Sequence, residues 1–347
     1  MGHLRSPASH NAGPSFHDLR QYGLAVASGE NCYIPPYHRP SVSLFDRHLK
    51  EIAQSATVPE LTWFSDHVTA IDRDSGGDGY TLRLRDSDTF LHAKRVILAL
   101  GQPRPAVPEP FARCEKDDRI AHVYDEGYDP DAGRPGERIL VVGGGIAAAH
   151  LVMHYRARPV ETIWWYRDPL SVVQFDSDPC FIGPRCRSLW DAIDNPENRR
   201  ALIRRSRRNG SIPSNLAIPL FEEMRNGHVR TVRGVVSDYR YAGDRRIVVG
   251  NADGRSVAVE CDRVVLATGF APEVPQVELI AVISDALGLL RTTDGFPIVS
   301  PSLEWAPGLF CTGALAEHEL GPPARNIIGA HLARRRIVPA VIASLET

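Results

Sequence analysis

The chain has 347 residues, 43% hydrophobic and 24% charged, with 40 basic against 42 acidic side chains. That length supports about two domains, and the composition excludes a disordered chain, a fibrous repeat and a small disulfide scaffold. A formal net charge of −2 gives no global field for nucleic acid or an anionic membrane, and no apolar run approaches the roughly 20 residues of a membrane span.

The first stretch, Met1 to Arg20, is polar and has no apolar signal core, so a cytoplasmic protein is expected. Its histidines His3, His10 and His17 recur at a spacing of seven, which suits no common metal motif. The six cysteines (Cys32, Cys114, Cys180, Cys186, Cys261, Cys311) include no C-x-x-C pair, and reduced thiols are the expectation.

Residues 66–103 then show a pattern that returns at 235–271. Each copy reads as short β-type runs separated by Gly turns. Each ends in an apolar strand, Arg95-Val96-Ile97-Leu98 or Arg263-Val264-Val265-Leu266, that runs into Ala99-Leu100-Gly101 or Ala267-Thr268-Gly269. The expectation is a β-meander that hands the chain back to a parallel sheet, twice, and so two dinucleotide-binding domains of one type.

Between the copies lies the most specific signal. The apolar run Arg138–Val142 is followed by Gly143-Gly144-Gly145, then by the helix formers Ile146 to Met153, then by the β-branched and aromatic run Thr162–Tyr166. The spacing is G-x-G-x-x-A. Gly143 permits the tight turn, Gly145 lets a pyrophosphate approach the backbone, and Ala148 lets helix and strand pack closely. Amides at the helix start, from Ile146 and Ala147, then face the phosphate charge. After the second strand an NAD site usually carries an acid. This chain has Arg167, whose guanidinium fork suits a 2′-phosphate. NADPH is therefore the expected nicotinamide cofactor.

Further on, Asp176 and Asp178 bracket Ser177 before Pro179. Paired carboxylates there could bind an amine or supply a general acid, while the plain reading is an Asx turn. A helix over about 196–208 carries Arg199, Arg200, Arg204, Arg205, Arg207 and Arg208. It lacks interleaved aromatics, so a solvated helix face is expected rather than a nucleic-acid site. Trp164 and Trp165 belong to the core by this reading, and Trp190 is a candidate cover for a cleft.

The ordered pieces resemble a known group. They are Leu4-Arg5-Ser6-Pro7 with His10, Arg39-Pro40 before Leu44-Phe45, Val141 to Gly145, Phe175 to Pro179 with Ile182-Gly183-Pro184, Ala267 to Phe270, Gly313 to Ala316, and Gly321 to Asn326. In this order they resemble the two-dinucleotide-domain flavoproteins related to class B and N-hydroxylating flavin monooxygenases. The resemblance implies an α/β fold of two Rossmann-like, three-layer domains, the second inserted in the first. It would divide the chain into an FAD-type domain, 1–125 and 264–347, and an NAD(P) domain, 126–263. It also implies FAD, with Thr268, Gly269, Gly313, Gly321, Pro322, Arg325 and Asn326 near the cofactors. The helix after Asn326 would aim its N-terminus at the flavin, and His10 would be a proton shuttle.

The activity so implied is hydride transfer from NADPH to flavin followed by O₂ activation, a small-molecule monooxygenase acting by amine N-hydroxylation. The interval from Gly143 to Gly269, counted back from Gly101, ends before Met1, and residues 1–100 hold no G-x-G-x-x-G. The first domain is thus expected to be incomplete at its N-terminus, and three explanations stand open: a longer protein whose start lies upstream, a chain that has lost the flavin-phosphate element and with it FAD, or a homo-oligomer or partner chain that supplies the missing piece and covers the sheet. The rival reading is a flavin-free NADP-binding protein, a sensor or a subunit of a larger complex.

Overall fold

The computed structural model describes residues 2–26, 32–55, 62–113, 117–208, 210–243 and 245–345; Cys114 lies outside them. The chain divides into two compact units. Unit 1 comprises Met1–Pro103, Ser177–Arg207 and Pro272–Thr347, and unit 2 comprises Arg104–Asp176 and Arg208–Ala271. Residues 177–207, inside the span expected for the NAD(P) domain, thus fold with unit 1.

Unit 2 is built on a five-stranded, all-parallel sheet. Its order is Arg230–Arg233, Glu161–Tyr166, Arg138–Val142, Arg263–Leu266, Ile120–His122. Successive side chains of a strand point to opposite faces. Ile139, Val141, Trp164 and Val265 pack on one face under the helices Ile146–Arg156 and Ser214–Arg225. Leu140, Val142, Ile163, Trp165, Val264 and Leu266 fill the other, under a three-stranded antiparallel meander, Val235–Ala242, Arg245–Ala252 and Arg255–Cys261. The result is three layers. Trp164 and Trp165 are core residues, as expected. Each indole removes about 200 Å² from water, an upper bound of roughly 5 kcal/mol.

Unit 1 repeats the theme in smaller form. The antiparallel meander Val68–Arg73, Tyr80–Leu84, Phe90–Ala93 hands over to Val96–Leu98, which pairs in parallel with Leu309–Cys311; that strand pairs with Glu304–Ala306. The repeat expected at 66–103 and 235–271 is therefore present in both copies. Ile71, Tyr80, Leu98, Phe296, Phe310 and Ile337 centre the larger core of unit 1, which the helices Val277–Leu287 and Ile327–Leu345 cover, and Ala8, Leu19, Cys32 and Leu44 form a smaller one.

The N-terminal stretch is knitted rather than loose. Asn11 is fully buried: its amide donates to the carbonyls of Ala8 and Ser15 (3.2 Å each), and its Oδ1 accepts from the Gly13 amide. His331, on the last helix, donates from Nε2 to the Asn11 carbonyl at 2.6 Å. Among the described residues no helix is long and apolar enough to cross a membrane.

Candidate functional site

Because the sheet of unit 2 is all parallel, the ends of its strands share one edge. Gly143 follows Arg138–Val142, Arg167 follows Glu161–Tyr166, Thr268 and Gly269 follow Arg263–Leu266, and Tyr124 follows Ile120–His122. The chain turns in opposite directions from the strand Arg138–Val142, and such a switch point opens a crevice for a ligand.

The glycine turn is gripped from below. Its Gly143 amide donates to the Trp165 carbonyl (2.9 Å), and the Trp164 indole donates to the Gly143 carbonyl (2.7 Å). Gly143 has φ +137°, and a Cβ on it would stand 2.2 Å from the Ala267 carbonyl oxygen. Gly145 is the N-cap of the helix Ile146–Arg156, and no side chain caps it. The first intrahelical bond is Ala149 N–H to the Gly145 carbonyl, at 3.0 Å. The amides of Ile146 and Ala147 thus start the helix without intrahelical partners, a ready anion site.

These residues fit a dinucleotide: a bare backbone turn, orphan amides, and a cation on the adjoining strand end. Arg167 is exposed and pairs with Asp168 at 2.8 Å. Sequence reasoning missed Arg233, which ends the next strand opposite Tyr166 and pairs with Asp253 at 2.6 Å. It also missed the grip of Trp164, since an indole inside a strand reads only as core. Thr268 donates its hydroxyl to the Ala106 carbonyl, and the Gly269 carbonyl accepts from Ala106 N–H at 2.9 Å. Both therefore hold the turn after the strand Arg263–Leu266.

In unit 1 the remaining site residues gather on one segment. Gly313 opens the short helix Gly313–Ala316, and Gly321 leads through Pro322–Arg325 to Asn326, from which the helix Ile327–Leu345 starts. Gly321 has φ +84° and is buried against Trp190: a Cβ there would lie 3.2 Å from the indole. Trp190 is buried beneath this turn and donates to the Glu319 carbonyl (3.1 Å); a cover over an open cleft was the wrong expectation, because the indole is enclosed.

The basic run is a second correction. Arg204, Arg205 and Arg208 are exposed, but Arg199 and Arg200 turn inward from the helix Pro196–Ser206. Arg199 donates to Glu319 (2.9 Å) and to the His318 carbonyl (2.8 Å). Arg200, almost fully buried, pairs with Glu317 and with Asp294 (2.6 Å). Glu317 is also held by Arg325 at 2.6 Å. Arg187 reaches the carbonyls of Leu320 (3.0 Å) and Glu319 (3.1 Å). The helical stretch 184–206 thus clamps the segment 313–326 with buried charge. Burial pushes the His318 imidazole below its ordinary value, against the pull of Asp294.

The thiol expectation fails at one pair: Cys180 and Cys186 form a disulfide between the turn Pro179–Ile182 and the helix Pro184–Asp191, while Cys32, Cys261 and Cys311 are buried thiols. A six-residue spacing matched no known motif, and only the turn at Gly183 brings the two side chains together. Burial holds the Cys261 thiol up at about 12.

Asp178 accepts from the Cys180 amide (2.9 Å) and caps the turn, while Asp176 accepts from the Arg208 amide through its carbonyl (2.7 Å). The unit boundary falls between Asp176 and Ser177. His10 is half-buried in unit 1, and burial, with His331 nearby, lowers its pKa. For flavin, the donor set in unit 1 fits a carbonyl-rich ring edge: the start of a 19-residue helix and the Asn326 amide side chain, which has no partner among the described residues. Arg325, by contrast, is committed to Glu317. Asp66, His67 and Asp86 converge on unit 1, but Asp66 already accepts from the amides of His67, Asp86 and Ser87 and serves as the hub of a turn.

The family model for L-lysine 6-monooxygenase/L-ornithine 5-monooxygenase matches residues 32–232. No curated protein matches. Among solved structures, DfoA, the cadaverine monooxygenase of desferrioxamine biosynthesis from Erwinia amylovora bound to FAD, has a TM-score of 0.72 at 14% identity. The match covers 99% of this chain and 83% of that one. The ornithine N-hydroxylase KtzI from Kutzneria sp. 744, solved with reduced FAD, NADP+ and L-ornithine, has a TM-score of 0.72 at 18% identity, over 100% of this chain and 86% of that one. L-lysine 6-monooxygenase from Pseudomonas syringae has a TM-score of 0.66 at 18% identity, over 88% and 77%. The α/β, two-dinucleotide-domain architecture is that of these flavoproteins. The chain belongs to the L-lysine 6-monooxygenase/L-ornithine 5-monooxygenase family, flavoenzymes that use FAD and NADPH.

Proposed function

We propose that this protein hydroxylates the primary amine of a small aliphatic amino acid or diamine, consuming O₂ and NADPH. The overall balance is RNH₂ + O₂ + NADPH + H⁺ → RNHOH + NADP⁺ + H₂O. Bound flavin supplies the hydride acceptor and the place where O₂ is activated. The chain supplies position and electrostatics. The turn Gly143–Gly145, with the Ile146 and Ala147 amides, holds the pyrophosphate. Arg167 selects the 2′-phosphate by a forked contact, and Thr268 and Gly269 fix the neighbouring loop.

In unit 1, Asn326 and the helix start give hydrogen bonds and a positive dipole end to the electron-rich ring edge, with Gly313, Gly321, Pro322 and Arg325 shaping that wall. His10, kept neutral by burial, presents an unprotonated imidazole that can pass a proton on without holding it. Asp176 or Asp178 offers a carboxylate to an ammonium group. The observation that carries the reading is the uncapped glycine turn with Arg167 beside it, in a chain of this family.

The test supplies the purified protein with FAD and NADPH and offers L-ornithine, L-lysine and cadaverine in turn. Hydroxylamine formation is measured against NADPH oxidation. A hydroxylamine product from one of them supports the reading. NADPH binding without flavin uptake or product would sink it in favour of an NADP-binding protein without flavin.

A further inference from the structure

A dinucleotide whose pyrophosphate rests on Gly143–Gly145 and whose 2′-phosphate meets Arg167 has its adenosine half on one side of the strand Arg138–Val142. Its nicotinamide half must then extend to the other side, over the ends of Arg263–Leu266 and Ile120–His122. There the structure places three rings in a row. His122 and Tyr124 have centroids 5.5 Å apart, and Tyr124 and Phe270 stack at 4.5 Å with only 11° between their planes.

The two loops that carry these rings are fixed by backbone bonds. The Val123 amide donates to the Leu266 carbonyl (3.0 Å), the Ala271 amide to the Arg104 carbonyl (2.9 Å), and the Ala106 amide to the Gly269 carbonyl (2.9 Å). The turn at Tyr124 is tightened twice more. The His122 amide donates to the Asp125 carboxylate (2.6 Å), and the Tyr124 amide donates to the His122 Nδ1 (3.2 Å). His122 is only 2% exposed, and its Nε2 makes no hydrogen bond. Tyr124 and Phe270, in contrast, are 51% and 36% exposed. A rigid, half-open aromatic stack on the ligand edge is more order than two surface loops need, and a flat heteroaromatic ring is the partner it suits.

We propose that the Tyr124–Phe270 stack is the platform for the nicotinamide ring. This deepens the function proposed above and rests on its reading of the glycine turn. It also separates two contributions to affinity: the phosphate end is held by backbone and charge, the reactive ring by aromatic stacking.

The test compares two ligands on the full chain by calorimetry: NADP+, and 2′-phospho-ADP-ribose, which lacks only the nicotinamide. The wild type should bind NADP+ more tightly. Tyr124→Ala should weaken NADP+ binding about tenfold and leave 2′-phospho-ADP-ribose unchanged, while Tyr124→Phe keeps wild-type behaviour. Phe270→Leu, which keeps apolar volume, reads the same difference from the second ring should Tyr124→Ala not fold. Equal losses on both ligands, no loss on NADP+, or equal wild-type affinities would overturn the platform alone. A wild type that binds neither ligand removes the dinucleotide site, and the platform with it.

Discussion

The two units solve one problem by different means. Each must hold a turn at the end of a parallel strand. Unit 2 does so with neutral hydrogen bonds to the Gly143 backbone, one to the Trp165 carbonyl and one from the Trp164 indole, over a five-stranded sheet. Unit 1 has a three-stranded sheet at the corresponding place and holds its segment 313–326 with arginines reaching in from 184–206. Backbone grips are insensitive to pH and salt. Buried ion pairs are all-or-nothing, since removing one partner strands the other's charge.

The largest expected effect breaks the charge side of that contrast. Arg200→Ala should cost about 3–5 kcal/mol of stability, read by denaturant unfolding, and leave NADP+ binding by the folded protein intact. Glu317→Gln, which strands both Arg200 and Arg325 at that carboxylate, should cost at least as much; no loss from either variant would mean that the charges themselves do not matter.

Gly143→Ala strikes the backbone side. Its φ of +137° and the 2.2 Å approach to Ala267 predict a loss of about 1–3 kcal/mol, together with a more than tenfold loss of NADPH affinity. Normal NADPH binding by this variant would show that the turn is not the phosphate site.

Reduction of the Cys180–Cys186 disulfide opens a short loop, six residues apart in sequence, and should lower stability by about 2 kcal/mol on chain-entropy grounds. The loss should appear in unit 1 as faster hydrogen exchange over 177–207. Arg167→Ala should raise the Kd for NADPH about tenfold and leave that for NADH unchanged, a change of cofactor preference without a change of fold.

The smallest effect is on pH. The His318 imidazole is held neutral by burial, so the unfolded chain binds its proton first as pH falls. Stability is fully present above the ordinary histidine value near 6.5 and declines below it. His318→Phe should flatten that decline in thermal unfolding curves.

Much of unit 2 was legible in the residues. Val141 through Gly145 and the two apolar runs on either side define strand, turn, helix and strand by local chemistry alone. The two meanders were legible for the same reason, since period-2 patterning and glycine turns are local signals. What stayed hidden depends on distant partners. Arg200 looks like any other member of a basic helix until Glu317, 117 residues later, is placed beside it. Cys180 and Cys186 match no spacing rule, and Asn11 gives no sign that it organises the N-terminal stretch. Tyr124 and Phe270 are 146 positions apart, and only the strand order brings their rings together.

The arginine clamp also sets an order of events. Unit 2 has all its parts once Ala271 has been made, whereas unit 1 draws on three separate stretches and ends with the helix Ile327–Leu345. On a ribosome adding about 5–20 residues per second, Arg200 emerges long before Glu317 and Arg325 do. For several seconds a guanidinium destined for the interior has only water as its partner, beside the apolar faces that will become the core of unit 1. Unit 2 can therefore close while unit 1 still waits for the residues with which Arg200 pairs, Asp294 and Glu317.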